Sequence, residues 1–218
     1  MGGHWGHDVA RAGPPGIRAV RSELGRVYKG GVRRLGNVIG FDDAPFVREH
    51  RGDVALVGTV CTHARLDGVV VGKVRRDGVD STRRIAALLR GSPFAEHVQA
   101  VLLQGIAVAG FNVVDIHALH ATLGLPVLVV ARKAPGLAAI QAALLGRVRG
   151  GARKWRLIER AGPMEACEGV YVQRAGLTLH EAAGLLRTTR THGKLPEALR
   201  LAHLIAGGIG DGASRGRA

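Results

Sequence analysis

Short apolar runs, punctuated by glycine, proline and paired polar residues, dominate the chain and predict its elements in turn. Leu35–Phe41 (LGNVIGF) ends on Asp42-Asp43, as expected of a core strand delivering two carboxylates at its C-terminal end. Ala44-Pro45 then breaks the ladder. Val54–Thr62 and Leu66–Arg75 are valine-rich, are joined by His63-Ala64-Arg65, and read as a β-hairpin. Asp77-Gly78 is a turn signal, and Ser81–Arg90 has a helical period with Asp80 or Ser81 at its N-cap and Gly91 closing it. Val98–Leu103 reads as a buried strand ending at Gln104-Gly105, Val113–Leu123 as a helix and Pro126–Ala131 as a second buried strand. Strand, helix, strand in that order implies a parallel βαβ unit. Leu137–Val148 reads as a helix, Arg153–Glu159 and Gly169–Gln173 as short strands, and Leu179–Thr188 and Pro196–Ala206 as helices. The fold class is therefore α/β, a single domain with a mixed sheet, an antiparallel hairpin and flanking helices. Residues 1–30, glycine-rich with a Pro14-Pro15 pair, are expected to be a flexible basic arm, 31–208 the folded domain and 209–218 a frayed tail.

Composition narrows the core and the compartment. With aromatics at 4%, the core must be built from Val, Leu, Ala and Ile. Cys61 and Cys167 are too few for a disulfide framework or an all-thiolate zinc site. No apolar run approaches the roughly 18 residues of a membrane span, and the N-terminus lacks the apolar block of a signal peptide. The expectation is a cytoplasmic protein with no membrane partner.

Charge points to a class of partner. The net charge is +14, and it is uneven: residues 1–35 carry 7 bases and 2 acids, 36–145 carry 11 and 9, and 146–218 carry 13 and 6. A near-neutral middle thus lies between two basic ends. Such a distribution favours nucleic acid or another phosphorylated partner.

The middle holds the candidate chemistry. Two ionised carboxylates about 4 Å apart repel by ~4 kcal/mol at an effective dielectric near 20, and a hard cation such as Mg²⁺ or Mn²⁺ relieves that. Adjacent strand residues face opposite sides, so Asp42 and Asp43 are not expected both to address one ion directly; one would be a ligand and the other a cap or supporting group. The bland alternative is that Asp-Asp-Ala-Pro forms an Asx turn. Asp77 and Asp80 precede a helix, where acids commonly act as caps, and Asp115 has the same alternative. The histidines, among them His117, His120, His180, His192 and His203, form no zinc pattern. Neither G-x-S-x-G nor a glycine-rich nucleotide fingerprint is present, and D-D-A-P is not the D-x-D of aspartyl phosphatases.

Five ordered strings carry a resemblance: GFDDAPF (40–46), DGVDSTRRI (77–85), GIAVAGFNVVDI (105–116), LPVLVVARK (125–133) and TTRTHGKLPEALRLAHLIA (188–206). Together they resemble the archaeal endonuclease dU family, which is related to endonuclease V. The more distant likeness to endonuclease V runs in the same order, through Gly40-Phe41-Asp42, Asp80, Gln104-Gly105, Pro126 to Arg132 and Leu195 to His203. The resemblance implies a ribonuclease-H-like fold, in agreement with the element order. It implies Asp42 as principal Mg²⁺ or Mn²⁺ ligand and Asp80 as second carboxylate, with Asp43 or Asp77 in support. It implies Arg132 or Lys133 on the phosphate, Arg132 by register and Lys133 by chemistry. Gln104 occupies a metal-ligand position at which endonuclease V has Asp, and glutamine is a weaker ligand for hard cations.

Three functions follow. One is a Mg²⁺-dependent endonuclease-like protein acting on damaged or deaminated DNA, uracil-containing DNA being implied by the family name. Another is a non-catalytic nucleic-acid-binding protein that keeps the nuclease fold with a degenerate metal site at Gln104. The third is an assembly protein whose charge serves a nucleoprotein complex.

Overall fold

In the computed structural model, which describes residues 35–214, the chain opens with β1 (Asn37–Asp43) and the hairpin β2 (Asp53–Thr62) and β3 (Arg65–Arg75). There follow α1 (Ser81–Arg90), β4 (Ala100–Gln104), the small ribbon β5 (Ala107–Val108) and β6 (Asn112–Val113), α2 (Ile116–Leu123) and β7 (Val127–Ala131). The second half contains α3 (Leu137–Arg147), α4 (Gly151–Ala161), β8 (Glu165–Cys167), β9 (Val170–Ala175), α5 (Leu179–Thr189) and α6 (Glu197–Asp211). The expected arm, residues 1–30, lies outside the described residues.

Seven strands form one mixed sheet in the order β3-β2-β1-β4-β7-β9-β8. The hairpin is antiparallel, β1 pairs parallel with β4 and β4 parallel with β7, and β9 returns antiparallel to β7. α2 is the crossover of the β4–α2–β7 unit.

Alternation along the strands divides the core into two layers. Ile39 and Phe41 of β1 pack with Ile85 and Leu89 of α1 and Ile116 and Leu119 of α2. Val38 of β1, with Ala100 and Leu102 of β4, packs against Leu185 of α5 and Ala198 and Leu199 of α6. Gly40 belongs to the second face. A Cβ there would lie 2.7 Å from the carbonyl carbon of Ala198 and 2.8 Å from the nitrogen of Leu199, so only glycine lets the α6 backbone rest on β1.

Three elements differ from the sequence expectation. Residues 153–159 form part of helix α4, not a strand. The apparent alternation of Trp155 and Leu157 is overridden by buried Gly151, Lys154 and Ile158, which recur at helical spacing. Residues 112–113 form β6, and α2 starts only at Ile116, where Asp115 accepts from the Ala118 N–H as a true N-cap. α6 runs to Asp211 through glycines that suggested an earlier end. Gly210 is tolerated because its missing side chain admits Pro45, whose Cδ would lie 2.9 Å from a Cβ. No described helix is long and apolar enough to cross a membrane.

Candidate metal and nucleic-acid site

The carboxyl ends of β1 and β4 lie side by side. Their register pairs Phe41 with Leu103, so Asp42 and Gln104 come next on adjacent strands. Both have the parity of the face covered by α6, and Arg132 continues that parity just beyond β7. Asp42, Asp43 and Gln104 line a cleft of about 330 Å³ together with His203, Gly207 and Asp211 of α6. His203, Gly207 and Asp211 are spaced i, i+4, i+8, which puts them on one helix face.

Asp42 is 7% exposed. Its Oδ1 accepts from the Asp43 N–H at 3.1 Å and its Oδ2 meets His203 Nδ1 at 2.8 Å. Burial pushes its pKa above the usual range, while the His203 contact and the Arg132 charge pull the other way. Asp43, on the opposite side of the strand end, is pushed up to about 6 by burial and by its Asp42 neighbour. Both carboxyls are thus held above the usual range chiefly by the loss of solvent around them.

Gln104 is the third oxygen donor. Its Oε1 is buried without a hydrogen-bond partner, which costs about 1–3 kcal/mol unless something else supplies the contact. The Asp42 carboxylate and the orphaned Gln104 oxygen on one face, with the Asp43 charge close behind, are oxygen groups of the kind a hard divalent cation takes. Among the described residues, however, no three His, Cys, Asp or Glu side chains converge into a preformed cage. The chemistry fits Mg²⁺ or Mn²⁺; the negative charge for a tightly held ion is reduced.

The other anticipated residues separate. Asp80 does not join the cleft. Burial opposes its ionisation, but hydrogen bonds from Asn112 Nδ2 at 2.7 Å, the Arg75 N–H and Arg84 hold its carboxyl below the usual range. Asn112 also accepts from the Ser81 N–H, so Asp80 and Asn112 lock the β3–α1 turn onto the β5–β6 ribbon. The expected second ligand is thus a structural fastener. Asp77 accepts from the Phe111 N–H at 2.8 Å and pairs with Arg76. Arg132 is exposed and its charge acts on Asp42, whereas Lys133 is exposed on the strand's other parity.

His203 was not anticipated as a site residue. Its one signal is its place at the end of LPEALRLAH, opposite an Asp of endonuclease V. Isolated histidines carry no motif, and nothing local links residues 161 positions apart.

Beside the cleft lies an apolar cavity of about 420 Å³, walled by Ile106, Phe111, Ile140, Trp155 and Met164. It begins at Gly105 and Ala131, immediate neighbours of Gln104 and Arg132.

A mixed sheet of this order, with acids at the β1 end and α6 laid across it, defines the endonuclease V class of fold. Endonuclease V of Ciona intestinalis, solved in complex with a 23mer DNA containing an inosine followed by a ribo-adenosine, superposes with a TM-score of 0.52 at 14% identity, covering 78% of this chain and 83% of that one. A protein of unknown function from Archaeoglobus fulgidus superposes at 0.75 with 30% identity, covering 80% of this chain and 98% of its own. The sequence model of the family Endonuclease dU matches residues 35–210. The chain belongs to that family. A UPF0215 protein of Deinococcus radiodurans is 59% identical over 184 residues, 84% of this chain and 94% of its own length.

Proposed function

We propose that this chain is a divalent-cation-dependent endonuclease acting on damaged or deaminated DNA, uracil-containing DNA among its candidates. The observation that carries the reading is the group at the strand ends: the buried Asp42 bonded to His203, the half-buried Asp43 beside it, and Gln104 with an orphaned oxygen. Asp42 and Gln104, on one face of the strand ends, would hold Mg²⁺ or Mn²⁺ directly, with Asp43 adding its charge from the other side of the strand. A bound cation at such a site supplies charge neutralisation at a phosphodiester and a more acidic water. The chain's own residues do the rest. His203 keeps Asp42 oriented, and Arg132 offers a guanidinium to a phosphate at the cleft mouth. The apolar cavity one residue away, with the Phe111 and Trp155 rings in its wall, suits a nucleobase withdrawn from its stack.

A second reading has its own support. A neutral Gln104 at a position where a carboxylate would hold the cation more tightly favours a protein that binds nucleic acid without cutting it. End-labelled DNA carrying a single uracil or hypoxanthine, and an undamaged control, distinguishes the two. Incision near the lesion in Mg²⁺ or Mn²⁺, abolished by EDTA, is expected of the first. Binding without incision in any metal belongs to the second. Absence of binding at low salt removes both.

A further inference from the structure

A second groove lies between α1, α2 and α4, built from residues that the cleft does not use. Its volume is about 530 Å³. Arg83 and Arg90 line it from α1, and Arg153 and Lys154 from α4. Arg83 and Arg90 are seven residues apart, so one face of α1 carries a row of charge about 10 Å long.

The groove's charge is uncompensated. The one acid lining it is Asp115, which already caps α2 and pairs with Arg160. Arg90 donates to the Thr122 carbonyl, a neutral partner. Arg83 and Arg153 are exposed and have no carboxylate partner among the described residues. Lys154 is only 1% exposed, and its ammonium donates to the Asp77 carbonyl oxygen at 2.5 Å. The Asp77 carboxylate itself is engaged by Arg76 and the Phe111 N–H. Three exposed arginines therefore line the groove, with the buried Lys154 in its wall and one carboxylate already spent on another partner. Burying a lysine this way is costly unless an anion comes to it.

We propose that this groove is a track for the phosphodiester backbone of a nucleic-acid strand, gripping it away from the cleft; the inference rests on the nucleic-acid reading above. The exposed Arg83 and Arg90, about 10 Å apart along α1, with the exposed Arg153 on α4, match the spacing of consecutive phosphates. Arginines that keep their donors free suit phosphate oxygens bidentately. Gly78 and Val79 also line the groove; they belong to the turn that Asp80 and Asn112 fasten to the β5–β6 ribbon. The groove draws half its charge from α1, within the chain's near-neutral middle, so the basic ends alone do not account for the grip.

The test is the double variant Arg83→Gln/Arg153→Gln in the full chain, with binding of a fluorescein-labelled single-stranded 20-mer followed by anisotropy from 50 to 200 mM salt in EDTA. Neither residue belongs to the cleft, so Mg²⁺ binding by calorimetry and the melting temperature should stay unchanged. Loss of two phosphate contacts should flatten the slope of log K against log salt by about 1.4, with weaker binding at 50 mM. An unchanged slope and affinity, with the original chain binding well, overturns the groove and leaves the nuclease reading standing. No binding by the original chain overturns both. If millimolar mononucleotide stabilises the original chain but not the variant, and DNA affinity is equal in the two, the groove serves free nucleotides and the backbone proposal falls.

Discussion

Replacing Asp43 by asparagine should stabilise the cation-free protein at neutral pH. Asp43 holds its proton to about 6 when folded, against 3.8 for an ordinary aspartate, because it is desolvated at the strand end and lies next to the Asp42 charge. The folded chain thus binds that proton more tightly than the unfolded chain does. Stability is favoured below pH 4, is lost as pH rises from about 4 to about 6, and above that the ionised carboxylate exerts its full cost. The gap corresponds to at most about 3 kcal/mol, and to about 2 once solvent at the cleft is allowed for. Asparagine keeps an acceptor for the hydrogen bond from the Ala109 backbone and removes the charge. Thermal and urea unfolding of both proteins in EDTA from pH 4 to 8 measures the effect. The variant should gain about 2 kcal/mol above pH 6, or about 4–8 °C in melting temperature, and nothing near pH 4. A stability difference that is flat across this range, or an asparagine variant that melts lower at pH 7.5, would refute the reasoning.

Other substitutions probe the neighbouring contacts. Gln104→Asp adds a third carboxylate to the row, so it should lower stability in EDTA yet raise Mg²⁺ affinity by tenfold or more. Equal calorimetric affinities would return Gln104 to a structural role. His203→Ala removes the hydrogen bond that orients Asp42 and should weaken Mn²⁺ binding about 10–100-fold, with Asp42 titrating still higher by NMR. Gly40→Ala sets a methyl group against the backbone of Ala198 and Leu199, which no rotamer change can relieve. It should cost about 1–3 kcal/mol and loosen the His203–Asp42 contact, read as lost stability in urea and a shifted His203 resonance.

The sequence made some of this legible and hid the rest for physical reasons. The β2–β3 hairpin and the Asp42-Asp43 strand end are written locally, in period-two apolar runs broken by glycine and proline. The apolar run marked the strand that ends at Gln104, but only the resemblance to endonuclease V singled that residue out. Asp80 misled because a carboxylate before a helix looks alike whether it meets a metal or an amide. Only the fold brings Asn112, 32 residues on, to claim it. Strand alternation separates Arg132 from Lys133 only once β7 is placed beside β4. α4 was missed because Trp155 and Leu157 mimic a strand over five residues, too short a window to expose the helical recurrence of Gly151, Lys154 and Ile158.

The joining of Asp42 to His203 follows from two spacings that match only in three dimensions. Gly40 touches the backbone of Ala198 and Leu199, and fixes where α6 meets β1. From Gly40 to Asp42 is two strand residues on one face, about 6.6 Å. From Leu199 to His203 is four helical residues, about 6 Å. α6 therefore climbs alongside β1 by the same distance that the strand advances, and the imidazole arrives level with the carboxylate. Ala198, Ala202 and Ala206, all fully buried, keep the helix close along that climb. The G-x-D of the strand and the A-L-x-x-x-H of the helix are thus one device in two pieces. The glycine sets the separation, the alanines hold it, and the acid and the histidine meet because of it. A bulkier residue at position 40 would displace the histidine without altering either site residue, which ties the chemistry of the cleft to the packing of the sheet.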